Sequence, residues 1–131
     1  MNAEIDLIGL NLYLVEDSIE VRDRLKQLLG RVDRVSIVGE ASTPSAATSG
    51  ILQTVPHAVL LDLNLEGGTG LEVLKAVCPK HPAIVFIVLT NHASPAYEKA
   101  CRQHGAAHFL DKSRQIGEAM QIVADLSAGL G

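Results

Sequence analysis

Three strand-length stretches of this chain are apolar from end to end: Leu12-Tyr13-Leu14-Val15, Ala58-Val59-Leu60-Leu61 and Ile84-Val85-Phe86-Ile87-Val88-Leu89. A half-exposed strand would alternate with polar residues, so these stretches must be covered on both faces, which points to a parallel sheet between layers of helices. The intervening segments supply those helices, because their apolar residues recur at helical spacing. Alternation of the two patterns from one end to the other reads as repeated strand-helix-strand units, that is, an α/β chain with a doubly wound five-stranded parallel sheet.

In order, a first strand is expected over about 10–16, then a helix with Ser18 as N-cap, Val21, Leu25, Leu28 and Leu29 on one face, and Gly30 as C-cap. A second strand covers Val35 to Val38, and an alanine-rich helix runs from Pro44 to a point before Pro56. The third strand is Ala58 to Asp62. Gly67-Gly68-Thr69-Gly70 interrupts the pattern before a helix carrying Leu71, Val73, Leu74 and Val77, which Pro79 and Pro82 stop. The strand at 84–89, a helix from Ser94 to Gln103, a strand from Ala107 to Asp111 and a closing helix with Ile116, Ala119, Met120, Val123 and Leu126 complete the chain. Ser127 to Gly131 reads as a weak tail, and residues 1–131 as one domain with its core over about 9–126.

Polar residues stand where the apolar strands stop. Glu16-Asp17 follow the first, Asp62 the third, Thr90 the fourth, and Lys112 the fifth. In a parallel sheet all of these emerge at the carboxyl edge, where this architecture binds ligands. Three carboxylates brought together raise one another's pKa unless a cation compensates, so the arrangement predicts a divalent metal site.

Composition narrows the functional classes. With 131 residues and 47% hydrophobic content the chain suits one full-sized core. A net charge of -4 with dispersed Lys and Arg argues against direct nucleic-acid binding and against a basic membrane-binding face. No apolar run nears the roughly 20 residues of a membrane span, and no leader-like segment opens the chain. Cys78 and Cys101 are far apart and form no CxxC, which suits buried or half-buried thiols in a reducing, cytoplasmic setting.

The chain resembles the receiver domains of two-component response regulators. The resemblance rests on Glu16-Asp17 after the first strand, Val59-Leu60-Leu61-Asp62, Gly70, Ile87-Val88-Leu89-Thr90, and Gly105-Ala106-Ala107-His108-Phe109-Leu110-Asp111-Lys112, all in order and covering nearly the whole sequence. It implies the (βα)5 flavodoxin-like fold of the chemotaxis regulator CheY, with strand order 2-1-3-4-5. It implies that Asp62 is the phosphoacceptor, taking a phosphoryl group from a histidine kinase, a histidine phosphotransfer protein or a small acyl phosphate. Mg²⁺ would be held by Asp17, Asp62 and the backbone carbonyl of Asn64, with Glu16 acting through water. Lys112 would pair with Asp62 and then with the phosphate, and Thr90 and Phe109 would form the switch that alters the face of the fourth helix, fifth strand and fifth helix. That face would serve a downstream effector protein or effector domain, or a homodimer. Asn64 and His92, each two residues beyond a reactive group, would tune the phosphoryl lifetime. Val21, Arg22, Arg24 and Leu25 on the first helix would be the places to look for kinase choice.

Four departures from the family pattern stand out. Asn91 replaces a small residue and would narrow access to Asp62 or add a hydrogen bond, Glu66 replaces proline beside a glycine-rich loop, Ser113 replaces proline after the lysine with a trans bond expected, and Phe109 stands where tyrosine is usual. Other classes fit less well. An aspartate-nucleophile phosphatase needs an acid two residues after its nucleophile, where this chain has Asn64. A nucleotide or flavin module needs a glycine-rich phosphate loop after the first strand, where this chain has Ser18-Ile19-Glu20-Val21. The remaining readings are a receiver that is part of a longer regulator, and an interaction module that works without phosphorylation.

Overall fold

A computed structural model describes residues 9–130 of the chain. Five strands, β1 (Leu10–Val15), β2 (Val35–Ala41), β3 (Ala58–Leu61), β6 (Val85–Thr90) and β7 (Ala106–Asp111), form one parallel sheet in the order β2-β1-β3-β6-β7. Counting only these core strands, the order is 2-1-3-4-5, as expected. Two further strands of two residues each, β4 (Asn64–Leu65) and β5 (Gly68–Thr69), pair antiparallel as a separate hairpin. The helices are α1 (Ile19–Leu29), α2 (Pro44–Thr54), α3 (Gly70–Val77), α4 (Pro95–Gln103) and α5 (Ile116–Leu130).

Period-two alternation sorts the strand residues onto two cores. Tyr13, Val15, Val59, Leu61, Phe86 and Val88 face α2, α3 and α4 and pack with Ala47, Ile51, Val73, Leu74, Val77 and Cys101. Leu10, Leu12, Leu14, Leu60, Ile87 and Leu89 face the other way, onto Leu25 and Leu29 of α1 and Ala119 and Val123 of α5. Each apolar run therefore feeds both layers, which is why none of them alternates with polar residues. Local chemistry starts the helices where expected: Ser18 Oγ accepts the Val21 N–H, and Pro44 and Pro95 occupy first-turn positions behind Thr43 and Ser94 caps.

Two readings of the sequence are corrected. Ser127 is not in a weak tail, because α5 continues to Leu130 and the buried Ser127 hydroxyl donates to the carbonyl of Asp33 at 2.8 Å. That tertiary bond ties the last turns of α5 to the loop before β2; Gly131 lies outside the described residues. Leu25 does not present itself to a partner, and Val21 is half-buried. Leu25 is 2% exposed and Val21 packs beside it on the sheet, because the same stripe that makes α1 amphipathic turns both inward. Of the four α1 positions named above only Arg24 is exposed, and the prominent apolar side chain on this helix is Ile19 at 64%. No helix among the described residues is long and apolar enough to cross a membrane.

Candidate functional site

The parallel ladder continues one residue past the strand ends and thereby places the polar groups. Glu16 N–H donates to Ala41 O, Asp62 N–H to Val15 O, and Lys112 N–H to Thr90 O at 2.8 Å. With Val15 opposite Leu61 and Leu61 opposite Val88, the residues that follow these strands converge on one crevice at the carboxyl edge. Glu16, Asp62, Thr90 and Lys112 are all buried there, while Asp17 and Asn64 lie at the exposed rim.

At the centre the Lys112 ammonium donates to Glu16 Oε1 at 2.7 Å and stands 3.0 Å from Asp62 Oδ2. The pairing with Asp62 was expected; the shorter one to Glu16 was not. Glu16 is further fixed by the Ser18 N–H, which donates to Oε2, and the Asn64 N–H donates to Asp62 Oδ1 at 3.3 Å. Burial alone would push the Lys112 amine down, but the hydrogen bond it donates to Glu16 and the charges of Asp62 and Glu16 outweigh that and hold the amine above its ordinary value. The Glu16 carboxyl is pushed up, by burial first and by the Asp62 charge, against the lowering pull of Lys112 and the Ser18 N–H.

Oxygen atoms of Glu16, Asp17 and Asp62 lie within 4.8 Å of one another. Three carboxylates against one ammonium leave two negative charges uncompensated, and every donor is a hard oxygen, the ligand type that Mg²⁺ selects. The residues present therefore fit such an ion. Glu16 has both oxygens engaged, in keeping with a role through water, and Asp17 is the acid left open toward solvent.

Around this centre, the Thr90 hydroxyl is fully buried and accepts the His92 N–H at 3.1 Å. The His92 side chain is exposed and lines a small cavity with Asn64, Leu71 and Tyr97. Phe109 is half-buried and packs against the core on the α4 side. The segment read as a glycine break folds as the β4-β5 hairpin, with Gly67 at φ 81° in its turn, and Gly70 sits where a Cβ would strike the Asp62 carbonyl. Asn91 and Glu66 are both exposed. The Lys112–Ser113 bond is trans, and Ser113 explains its own presence: its N–H and hydroxyl both donate to Asp111 Oδ1, at 2.8 and 2.6 Å, and a proline could offer neither donor.

A doubly wound sheet of this order, with an acidic cluster and a buried lysine at its carboxyl edge, defines an α/β receiver module. The chain matches the response regulator receiver domain family over residues 12–124 and belongs to that family. It is 26% identical over 120 residues to the response regulator GacA of Pseudomonas protegens, an alignment covering 92% of this chain and 56% of that protein. To the response regulator UvrY of Escherichia coli it is 27% identical over 120 residues, covering 92% and 55%. The chain thus spans about half the length of these curated relatives. Among solved structures, a LuxR-family two-component response regulator from Aurantimonas sp. superposes with a TM-score of 0.84 at 26% identity, covering 92% of this chain and 86% of that one. The signal receiver domain of the response regulator NarL from Mycobacterium tuberculosis superposes with a TM-score of 0.83 at 28% identity, covering 92% and 98%.

Proposed function

We propose that this chain is a single receiver unit in which Asp62 is the phosphoacceptor. The observation that carries the reading is the Lys112 ammonium held between Asp62 and Glu16 with a third carboxylate alongside, at the sheet edge where strand ends converge. A carboxylate oxygen of Asp62 attacks the phosphorus, and the bond from phosphorus to the imidazole nitrogen of a phosphohistidine, or to the carboxylate of an acyl phosphate, breaks. Lys112, already oriented toward Asp62, follows the developing charge onto the phosphoryl oxygens. Mg²⁺, when held by Asp17, Asp62 and the Asn64 carbonyl, with Glu16 through water, supplies further charge neutralisation. The chain assists its own phosphorylation and dephosphorylation in this way without turning over a separate substrate.

The added charge of about -1.5 to -2 is the signal. The Thr90 hydroxyl bonds a phosphoryl oxygen, and Phe109, half-buried on the neighbouring strand β7, changes its packing and so the face made by α4, β7 and α5. Donors are a sensor histidine kinase or a phosphotransfer protein in the cytoplasm, and the switched face serves an effector domain, an effector protein or a second copy of the chain. Intact-protein mass after incubation with acetyl phosphate and Mg²⁺ tests the assignment. Wild type gains one phosphoryl group; Asp62→Asn, and wild type in chelator, gain none. Equal gain by Asp62→Asn places the acceptor elsewhere.

His92 supplies a separate expectation. Its backbone N–H, not its ring, holds Thr90 Oγ1, so His92→Ala keeps that bond and removes only the exposed imidazole beside Asn64. The variant should retain the Mg²⁺ affinity of wild type while the half-life of its phosphorylated form changes; an unaltered half-life removes His92 from the site.

A further inference from the structure

Asp17 presents a puzzle of support. Glu16 is held by Lys112 and by the Ser18 N–H, and Asp62 by Lys112 and by the Asn64 N–H. Among the described residues no hydrogen-bond donor or cation holds the Asp17 carboxylate, although it is one of the three acids whose oxygens approach within 4.8 Å. Any restraint on it therefore comes through the backbone. The peptide that joins Glu16 to Asp17 is gripped from α1, where Arg22 Nη1 donates to the Glu16 carbonyl oxygen at 3.2 Å.

Arg22 is held in turn. Its Nε is buried and makes no hydrogen bond of good geometry, yet it stands 3.1 Å from Glu40 Oε1 of β2, and Lys26 Nζ meets the other Glu40 oxygen at 2.9 Å. The guanidinium thus spans from the edge strand to the acidic loop, a reach that its planar fork allows and an ammonium cannot reproduce. The Arg22 side chain is 19% exposed, so the bond to the carbonyl is sheltered from competing water.

We infer that Arg22, braced by Glu40, is a positioning residue for the metal: it orients the Glu16–Asp17 peptide so that the unsupported Asp17 carboxylate faces the cation. The inference rests on the proposed Mg²⁺ site. It has a sign that electrostatics alone reverses. Removing a positive charge beside a cation site should tighten Mg²⁺ binding if charge were all that mattered. Loss of the clamp should weaken it, as loss of an outer support to a metal ligand does.

The test is Mg²⁺ titration of the full chain, followed by backbone amide shifts, for wild type, Arg22→Ala, Arg22→Lys and Arg24→Ala. Arg24 is exposed on the same helix and carries the same charge, so its removal controls for net charge. Arg22→Ala should bind Mg²⁺ roughly tenfold more weakly. Arg22→Lys should fall between Ala and wild type, and Arg24→Ala should stay within about twofold of wild type, as expected for an exposed, screened charge. Binding by Arg22→Ala as tight as wild type or tighter overturns the clamp. If a melt in chelator finds the Ala variant unfolded, Arg22→Lys decides: affinity equal to or above wild type overturns the clamp, and weaker affinity sustains it. Wild type that binds no Mg²⁺ overturns the metal reading itself, and the clamp with it.

Discussion

Lys112→Met should destabilise the metal-free protein by about 3 kcal/mol at neutral pH, because it strips two buried carboxylates of the one ammonium that meets them among the described residues, at 2.7 and 3.0 Å. Methionine preserves much of the stem packing, so the loss isolates the charge. The pH dependence follows from the directions of the shifts. Lys112 has its amine raised above the ordinary 10.5, so its contribution in wild type is fully present below that value and lost only as pH rises through the higher folded one. Glu16 is already raised above 4.5, chiefly by burial, so its ionised form costs stability above its folded value and that cost is relieved as pH falls. Without Lys112 the Glu16 carboxyl loses its main lowering influence and climbs further. The gap between variant and wild type should therefore narrow on acidification, and Mg²⁺ should recover part of it at neutral pH. Urea unfolding in chelator, in Mg²⁺ and across pH measures all three. Equal stability of the two proteins in chelator at neutral pH would show that the bridge carries no net structural weight.

Much of this site was readable because burial and chemistry leave local marks. A run such as Ala58-Val59-Leu60-Leu61 can only be a covered strand, and a carboxylate directly after it can only sit at the sheet edge. The same logic located Glu16, Asp17, Thr90 and Lys112. What escaped the sequence was whatever depends on partners far along the chain. Glu16 and Lys112 are 96 residues apart, and nothing in either neighbourhood distinguishes a lysine that meets one acid from a lysine that meets two. Ser127 is tied down by the Asp33 carbonyl that receives its hydroxyl, 94 residues away. The β4-β5 hairpin has two residues per strand, too few for any periodicity. Arg22 reads from the sequence as a place to look for kinase choice, and only the fold brings Glu40 and the Glu16 carbonyl to it. The first strand could be read as apolar, but which of its residues needed a special neighbour could not.

That residue is Tyr13, and Gly50→Ala should show it by destabilising the protein by about 2 kcal/mol, the scale of forced overpacking. Ordinary helix propensity predicts the opposite sign: Gly50 lies inside α2, where alanine is normally favoured by roughly 0.5–1 kcal/mol. The structure leaves no room for that gain. The Tyr13 ring is buried between two glycines: a Cβ at Gly50 would strike the hydroxyl and approach Cζ to 2.7 Å, and a Cβ at Gly39 would meet the ring edge. Gly39 reaches this place because the β1-β2 register skips Val38, pairing Leu12 with Ile37 but Tyr13 with Gly39, so the strand changes face at the point where the ring needs space. The hydroxyl itself donates only a long 3.4 Å bond to Glu40 O, so the cavity is shaped for bulk and not held by that bond. Tyr13→Leu, which shortens the side chain, should relieve most of the Gly50→Ala penalty, giving a coupling of roughly 1 kcal/mol or more in a double-mutant cycle by urea unfolding. Additive effects, or a Gly50→Ala variant more stable than wild type, would mean that α2 can shift away from the ring, and that the two glycines do not set the fit of Tyr13 beneath the helix.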